Sequence, residues 1–155
     1  MIKALRVDHR LLHGQVAFSW TSQLSADCIL LASDTLLDNK IQLTTIKLAK
    51  PSGVKLVVKT IEDSIKAIES GVTDKYKLFI VVESIVDAAK LIRALQLKKL
   101  NLGGTKSAPE KKKLSKSIYV TEKEEQVIKE LLDEGVDVQI QMVPSERAIN
   151  VKNVL

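Results

Sequence analysis

Short apolar, β-branched runs alternate with longer stretches of helical spacing along almost the whole chain, and this alternation limits the folds it can adopt. Strands that alternate with helices are typical of β-α units built around a parallel sheet. We therefore predict a three-layer α/β fold, in which a central, mainly parallel sheet of six to seven strands carries helices on both faces. The predicted strands are Ile2 to Val7, Cys28 to Ala32, Val54 to Val58, Leu78 to Val82, Lys99 to Leu102, Ser117 to Val120 and Val136 to Met142.

Two of the intervening helices have capping signals at their first residues. Thr60 stands three residues before Asp63, and Thr121 stands three residues before Glu124. At each site the hydroxyl can accept a hydrogen bond from a free backbone N–H while the acid reaches back to the cap. Both sites are therefore predicted helix starts.

Two more helices are predicted from apolar spacing and from breaking residues. One runs from Ser84 to Gln96. The other runs from about Thr35 to Ala49, with Asp34 before it as a capping residue and Pro51 after it as a stop.

The composition is that of a globular protein. The chain has 155 residues, of which 45% are hydrophobic and 28% are charged, and we expect residues 1–155 to form one domain. The segment MIKALRVDHR lacks the apolar core of a secretory signal, and no apolar run reaches the ~18 residues of a spanning helix. We therefore expect a cytoplasmic protein. The single cysteine, Cys28, lies in the run CILLA and is predicted to be a core residue.

Both histidines of the chain lie in the loop after the first predicted strand, which reads DHRLLHGQ from Asp8 to Gln15. In open α/β sheets, ligands bind outside the carboxyl ends of the strands, so this loop is the predicted site of chemistry. If a helix begins near Gly14, its unpaired N–H groups and its dipole would stabilise an anion on His13. Arg10 adds a guanidinium that can bind two phosphoryl oxygens at once.

These features alone leave three interpretations of the loop open. His13 can be a phosphoryl acceptor, because a neutral imidazole nitrogen is nucleophilic and Gly14 leaves room for a donor to approach. It can also be a hydrogen-bonded structural residue, which is the more common role of a loop histidine. The third interpretation is a non-catalytic regulatory module, in which the loop binds a phosphorylated ligand without covalent chemistry.

The segment RVDHRLLHGQVAFSW, from Arg6 to Trp20, resembles the active-site loop of the IIB components of mannose/fructose/sorbose-type sugar phosphotransferase systems. The signature of that family is R-hydrophobic-D-x-R-L-hydrophobic-H-G-Q-V. The resemblance continues through Ser33-Asp34 and the segment NLGG at Asn101 to Gly104, and so covers the whole chain. It implies that His13 is the phosphorylated residue and that Arg10 binds the phosphate.

The resemblance also implies a reaction and a set of partners. The chain would accept a phosphoryl group from a IIA protein and pass it to a sugar during uptake through the IIC and IID membrane subunits. This is the activity of a protein-Nπ-phosphohistidine–sugar phosphotransferase, and the product is a sugar 6-phosphate. The membrane subunits would hold the chain at the inner face of the membrane. A homodimer is expected only from the resemblance to the family. Mannose, fructose, sorbose and N-acetylgalactosamine all stay open as the sugar.

The remaining residues of the loop have supporting roles in this hypothesis. We expect Gly14, Gln15 and Asp8 to bind or support the phosphate, with Asp8 orienting Arg10 or bonding to the loop backbone rather than facing the phosphoryl dianion, which it would repel. His9 occupies the variable position of the signature, from which it can contact the phosphate.

Other polar segments follow neighbouring strands. Asp34, Gly103 and Gly104 are expected at the rim of the site, although capping of the next helix is enough to explain Asp34. A net charge of +5 favours acidic partners. The densest basic stretch is expected to be an exposed loop that attracts the donor protein or an anionic membrane surface. It contains Lys106, Lys111, Lys112, Lys113 and Lys116.

Two further ligand classes are considered from composition. Nucleic acid could bind the same lysines, but only 3% of the residues are aromatic and no recognition motif accompanies the basic stretch. We therefore expect no nucleic-acid partner. The sequence has no carboxylate cluster of the kind that binds metals, so we expect neither a metal nor an organic cofactor.

Overall fold

The computed structural model describes residues 1–155 and contains nine strands and five α-helices. The strands are β1 Ile2–Asp8, β2 Cys28–Ala32, β3 Lys55–Lys59, β4 Leu78–Val82, β5 Lys99–Gly104, β6 Lys112–Lys113, β7 Tyr119–Val120, β8 Asp137–Ile140 and β9 Ile149–Asn150. The helices are α1 Gly14–Leu24, α2 Lys40–Leu48, α3 Ile61–Glu69, α4 Ile85–Leu95 and α5 Glu122–Asp133. Short 3₁₀ turns cover Leu36–Asp38 and Val151–Asn153.

Seven of the strands form one sheet in the order β3-β2-β4-β1-β5-β8-β9. All neighbours pair in parallel except β8 and β9, which are antiparallel. The first strand, β1, therefore lies in the middle, between β4 and β5. This sheet confirms the predicted α/β fold with a central, mainly parallel sheet of up to seven strands.

Each face of the sheet has its own apolar core, because alternate residues of a strand point to opposite faces. In β4, Leu78, Ile80 and Val82 belong to the core that includes residues of α3, α4 and α5, whereas Phe79 and Val81 belong to the core under α1 and α2. All five β4 residues are buried, as expected for a strand covered on both faces. The three-layer prediction is therefore confirmed, and α1 is fixed on the face with the smaller core.

The longer strands of the central sheet were predicted more accurately than the two-residue strands. The segment Ser117 to Val120 is a strand only at Tyr119–Val120, and it pairs with Lys112–Lys113 in a hairpin outside the central sheet. The seventh strand of the sheet is β9, which the sequence analysis missed. Both β6 and β9 are two residues long, and two residues are too few to show an apolar period.

The helix predicted from Thr35 to Ala49 is wrong in its first part. A 3₁₀ turn at Leu36–Asp38 comes first, and α2 begins only after Asn39, whose side chain caps it. Asp34 does not cap this helix. Its Oδ1 accepts a hydrogen bond from the backbone N–H of Ile61 at 2.9 Å, and so it supports the first residue of α3.

The other predicted helix starts are confirmed, with one difference. At α5, Thr121 Oγ1 accepts from Glu124 N at 3.1 Å and Glu124 Oε1 accepts from Thr121 N at 2.9 Å, so both halves of the capping box are present. At α3, Thr60 accepts from Asp63 N at 3.1 Å, but the acid does not reach back. Ser84 caps α4.

Two further observations concern the interior and the length of the helices. Cys28 is buried at the start of β2, as predicted, and its burial raises the pKa of the thiol. None of the helices has both the length and the apolar character that a membrane crossing requires.

Candidate functional site

The loop between β1 and α1 is anchored by two leucines. The N–H of Leu11 donates to the carbonyl of Asp8 at 2.9 Å and closes a turn directly after β1. Leu11 has a φ of 59°, in the left-handed region, which costs a residue with a side chain about 1–2 kcal/mol. Leu11 and Leu12 are both buried in the core under α1, and this burial holds the turn in place. The polar residues on either side therefore reach the surface in a fixed arrangement.

Asp8 is the centre of the polar contacts in this loop. Its Oδ2 lies 2.8 Å from His13 Nε2 and accepts from Arg6 Nη2 at 3.1 Å, while its Oδ1 accepts from the backbone N–H of Arg10 at 3.0 Å. Burial alone would raise the pKa of the Asp8 carboxyl. The hydrogen bonds from His13 and Arg10 and the charge of Arg6 outweigh burial, and together they hold this pKa below its usual value. Asp8 is therefore a carboxylate at neutral pH.

Arg6 is a buried charge that the sequence analysis did not assign to the site. Besides the contact with Asp8, its Nη1 donates to Asn101 Oδ1 at 2.7 Å and to the carbonyl of Gln141 at 3.1 Å. The ring of Trp20 lies 5.3 Å from Arg6 Cζ, within cation–π range. Burial lowers the pKa of Arg6 and the charge of Asp8 counteracts this, but a guanidinium stays protonated in proteins. Arg6 therefore balances the charge of the buried Asp8.

The contact with Asp8 decides which nitrogen of His13 is available. Because the carboxylate accepts hydrogen bonds, the neutral imidazole carries its proton on Nε2 and its lone pair on Nδ1. No hydrogen bond of the chain uses Nδ1, and this atom is not among the buried polar atoms that lack a partner. The imidazole is 22% exposed. The lone pair of Nδ1 is therefore unused within the chain and accessible from the surface.

The first turn of α1 is open to an anion. His13 is the N-cap residue but its side chain caps nothing, and the first turn contains no acidic residue. The other four helices all have a side-chain cap, from Asn39, Thr60, Ser84 and Thr121. The free N–H groups and the helix dipole at Gly14 therefore attract negative charge next to His13.

Arg10 and His9 lie on the outer side of the loop. The side chain of Arg10 is 53% exposed and its Nε is 3.9 Å from Asp8 Oδ1, too far for a hydrogen bond, so its guanidinium is free to meet a ligand. His9 donates its backbone N–H to the carbonyl of Gly104 at 3.0 Å. Its Nδ1 is buried without a hydrogen-bond partner, 3.9 Å from Asp8 Oδ1.

A groove of about 380 Å³ runs along the β5 side of the loop. Its lining includes His9, Arg10, Gly104, Lys106 and Lys116. Two residues of the lysine-rich stretch, Lys106 and Lys116, line the groove and give the loop a basic flank. The hairpin that follows is less positive than the sequence alone indicates, because Glu125 and Glu146 pair with two of its lysines.

The structure brings most of the predicted site residues together around Asp8. Gly14 and the exposed Gln15 are the first residues of α1, directly after His13. A Cβ placed on Gly104 would lie 3.7 Å from Nδ1 of His9, so Gly104 borders the loop. Asp8 contacts His13 and accepts from the backbone N–H of Arg10, which is one of the two contacts expected of it. The Arg10 side chain forms an ion pair with Asp8 at 3.9 Å but no hydrogen bond.

Of the residues expected at the rim, Asp34 lies away from the loop, whereas Gly103 lies beside it. Asp34 bonds to the start of α3 and makes no hydrogen bond or ion pair with the loop. Gly103 lines the groove beside the loop together with Gly104, and it also lies against Arg6, where a Cβ would overlap the guanidinium. The structure contains no group of three or more His, Cys, Asp or Glu side chains that could hold a metal ion.

The comparisons with known proteins agree over the whole chain. Residues 2–155 match the family described as the PTS system sorbose subfamily IIB component. A probable phosphotransferase enzyme IIB component of Streptococcus pyogenes is 35% identical, over 100% of this chain and 99% of its own length. The sorbose-specific EIIB component of Klebsiella pneumoniae is 27% identical, over 97% of this chain and 92% of its own length.

Solved structures of such proteins have the same fold. The crystal structure of the IIBSor domain of the Klebsiella pneumoniae sorbose permease has a TM-score of 0.92 at 27% identity, and the match covers 99% of this chain and 94% of that one. The N-acetylgalactosamine-specific IIB component 1 of Escherichia coli has a TM-score of 0.88 at 28% identity, over 96% of this chain and 97% of that one. The chain therefore belongs to the sorbose subfamily of IIB components of the sugar phosphotransferase system.

Proposed function

We propose that the chain is a phosphocarrier in sugar uptake and that Nδ1 of His13 carries the phosphoryl group. The observation that carries this proposal is the 2.8 Å contact between Asp8 Oδ2 and His13 Nε2, which leaves Nδ1 free at the uncapped start of α1. The phosphoryl group comes from a phosphohistidine of a IIA protein. It goes to a sugar hydroxyl presented by the IIC and IID membrane subunits, and the product is the sugar 6-phosphate.

Each transfer is an in-line displacement at phosphorus. In the first, the lone pair of His13 Nδ1 forms a P–N bond as the P–N bond of the donor histidine breaks, and the donor nitrogen keeps that electron pair. In the second, the sugar oxygen forms a P–O bond, the bond to Nδ1 breaks, and the hydroxyl proton leaves to solvent. The ring nitrogen of His13 regains its lone pair, so the carrier returns to its starting state.

The residues around His13 stabilise the charges of this cycle. Phosphorylation at Nδ1 makes the imidazole ring more positive, and Asp8 stabilises that ring by accepting the hydrogen bond from Nε2. The transition state of phosphoryl transfer is loose, with its negative charge on the equatorial oxygens. In this proposal Arg10 and the free N–H groups of α1 bind those oxygens, so the protein acts mainly by positioning and by electrostatic stabilisation.

The names of the relatives support a IIA protein as partner, but they differ in the sugar that they specify. The fructose-specific EIIB component of Bacillus subtilis and the N-acetylgalactosamine-specific IIB component 1 of Escherichia coli are each 29% identical to this chain, and the sorbose-specific relative is 27% identical. The mannose-specific EIIAB component of Escherichia coli joins IIA and IIB in its name, and this chain covers 48% of it. These names support a IIA donor. We further propose that residues 1–155 act as one domain at the cytoplasmic face of the membrane, held there by IIC and IID.

A labelling experiment tests the proposal. The chain is incubated with phosphoenolpyruvate, the general phosphotransfer proteins and a IIA protein of the subfamily, and the product is analysed by mass spectrometry. We expect an acid-labile, base-stable phosphate on His13. His13→Ala should lose it, and His9→Ala, the matched variant in the same loop, should retain it.

Other outcomes would select another function. Label on His9 alone would refute the assignment of His13. Saturable binding of a phosphate ester without any covalent label would support the non-catalytic regulatory module. Steeply salt-dependent binding to DNA or RNA would support a nucleic-acid-binding protein.

A further inference from the structure

Phe18 is an exposed aromatic residue on the helix that begins at His13. The side chains of Ala17, Trp20 and Thr21 bury one face of α1, and Phe18 lies on the outer flank of the helix, about 110° from the centre of that face, with 59% exposure. Gly14 and Phe18 are four residues apart, so they share this flank with about 6 Å between them along the axis. A helical side chain leans over the turn N-terminal to it, so Phe18 leans over the turn that begins at Gly14, which has no side chain of its own.

The fold of this chain does not explain the exposure of Phe18. An aromatic side chain is a large apolar surface, and aromatic residues in exposed positions dominate the energetics of many protein interfaces. A shallow groove of about 310 Å³ lies on the other side of Phe18, between α1 and the segment that contains Pro51. An apolar side chain from a partner could therefore pack around Phe18 without any rearrangement of this chain.

The opposite flank of His13 is basic. Arg10 and Lys106 both line the groove on the β5 side. Lys106 makes no ion pair, and Arg10 has only the 3.9 Å ion pair of its Nε with Asp8 Oδ1. Lys116 lines the same groove but pairs with Glu146 at 2.7 Å. The surface around the imidazole is therefore asymmetric, with an aromatic ring on one side and two exposed cations on the other.

Phosphoryl transfer between two proteins requires that the donor cover this asymmetric surface. A protein–protein complex of standard size buries about 800 Å² per partner, which corresponds to a disc of about 16 Å radius centred on the reacting atoms. Phe18, Arg10 and Lys106 all lie on elements that begin at the loop of His13 or line its groove. Resting on the proposed function, we propose that Phe18 is the docking anchor for the phosphodonor protein. The donor surface presents an apolar pocket to Phe18 and acidic side chains to Arg10 and Lys106, and this two-sided match sets the orientation of the transfer.

The test compares a protein donor with a small chemical donor. The protein donor is a phosphorylated IIA protein that labels the wild-type chain, and the small donor is phosphoramidate, which needs no docking surface. We expect Phe18→Ala to raise the KM for the IIA protein about 30-fold, the effect of removing a strong interface anchor, with labelling by phosphoramidate unchanged. Phe18→Leu should recover most of the loss.

Val72→Ala is the matched control. Val72 is 60% exposed and lies in the segment that leads into β4, at the opposite end of the sheet from His13. We expect its KM for the IIA protein to equal that of the wild type. Equal KM values for Phe18→Ala and Val72→Ala would overturn the docking role. Absence of label on the wild-type His13 with both donors would instead overturn the proposed function.

The basic flank is tested by salt. Because exposed cations mainly accelerate encounter, Lys106→Ala should lower kcat/KM with the IIA protein and weaken its dependence on ionic strength. Lys3→Ala, an exposed lysine at the start of β1, should leave that dependence as in the wild type. The same dependence in both variants would remove Lys106 from the docking surface.

Discussion

Replacing Gly103 with alanine tests how closely the backbone of β5 approaches Arg6. An ideal Cβ at this position would overlap the guanidinium carbon of Arg6 and both of its terminal nitrogens. The guanidinium has little room to move away, because it lies between the sheet and α1, with Trp20 5.3 Å from Cζ. The alanine variant must therefore displace Arg6 from some of its hydrogen bonds.

The expected loss in the free energy of unfolding follows from the contacts that Arg6 would lose. Breaking a buried ion pair such as Arg6 and Asp8 costs about 3–5 kcal/mol. The lower freedom of the unfolded chain after a Gly→Ala change offsets about 0.4–1 kcal/mol of this. We expect the free energy of unfolding to fall by about 2–5 kcal/mol. At about 2–4 °C per kcal/mol for a chain of this size, the Tm should fall by about 4–20 °C.

The measurement is urea unfolding followed by far-UV circular dichroism, with Gly104→Ala as the matched control. A Cβ at Gly104 would meet nothing nearer than Asp8 Oδ1 at 3.6 Å, which is ordinary contact. We expect that variant to lie within about 1 kcal/mol of the wild type. If the two variants are equally stable, the close packing of Arg6 on Gly103 is refuted.

Three further predictions concern the loop and a helix cap. Arg10→Lys keeps the charge but loses the bidentate contact with the phosphoryl group, so phosphoryl transfer to His13 should slow about tenfold or more. The free energy of unfolding should change by less than about 0.5 kcal/mol. An unchanged transfer rate would contradict the role of the guanidinium. The folded-state pKa of Asp8 is below its usual value, so its stabilisation is complete above about pH 4 and is lost as the pH falls through that folded-state pKa. The gap in urea stability between wild type and Asp8→Asn should therefore narrow between pH 7 and pH 2, and a constant gap would show that the charge of Asp8 contributes nothing. Thr121→Ala removes the capping box of α5, so calorimetry should show a loss of about 1 kcal/mol, and no loss would mean that the cap is redundant.

The central strands were predictable because each is long, apolar and covered on both faces. The predicted bounds of Cys28 to Ala32 and Leu78 to Val82 agree with β2 and β4. The segment after β2 was not predictable from local pattern. Asp34 looks like the cap of the next helix, but its partner is Ile61, 27 residues away. A side chain that serves a distant helix cannot be recognised from its own neighbours.

The candidate site shows the same division between local and distant contacts. The signature string was sufficient to propose His13 and Arg10. The contact between Asp8 and His13 depends on the left-handed turn at Leu11, which an alternation pattern does not predict. The spacing of Arg6 and Asp8 was a usable signal, because residues two apart on a strand share a face. The partners of Arg6 on β5 and after β8 depend on the sheet order and could not be inferred.

Trp20 gives the chain a natural optical probe of its own site. It is the only tryptophan, its indole donates to the carbonyl of Met142 at 2.9 Å, and its ring lies 5.3 Å from Arg6 Cζ. Arg6 and His13 share the same oxygen of Asp8. A change of charge on the imidazole therefore reaches the indole through three direct contacts, His13 to Asp8, Asp8 to Arg6 and Arg6 to Trp20. Intrinsic fluorescence can follow the loading and unloading of His13 in real time, without an attached dye.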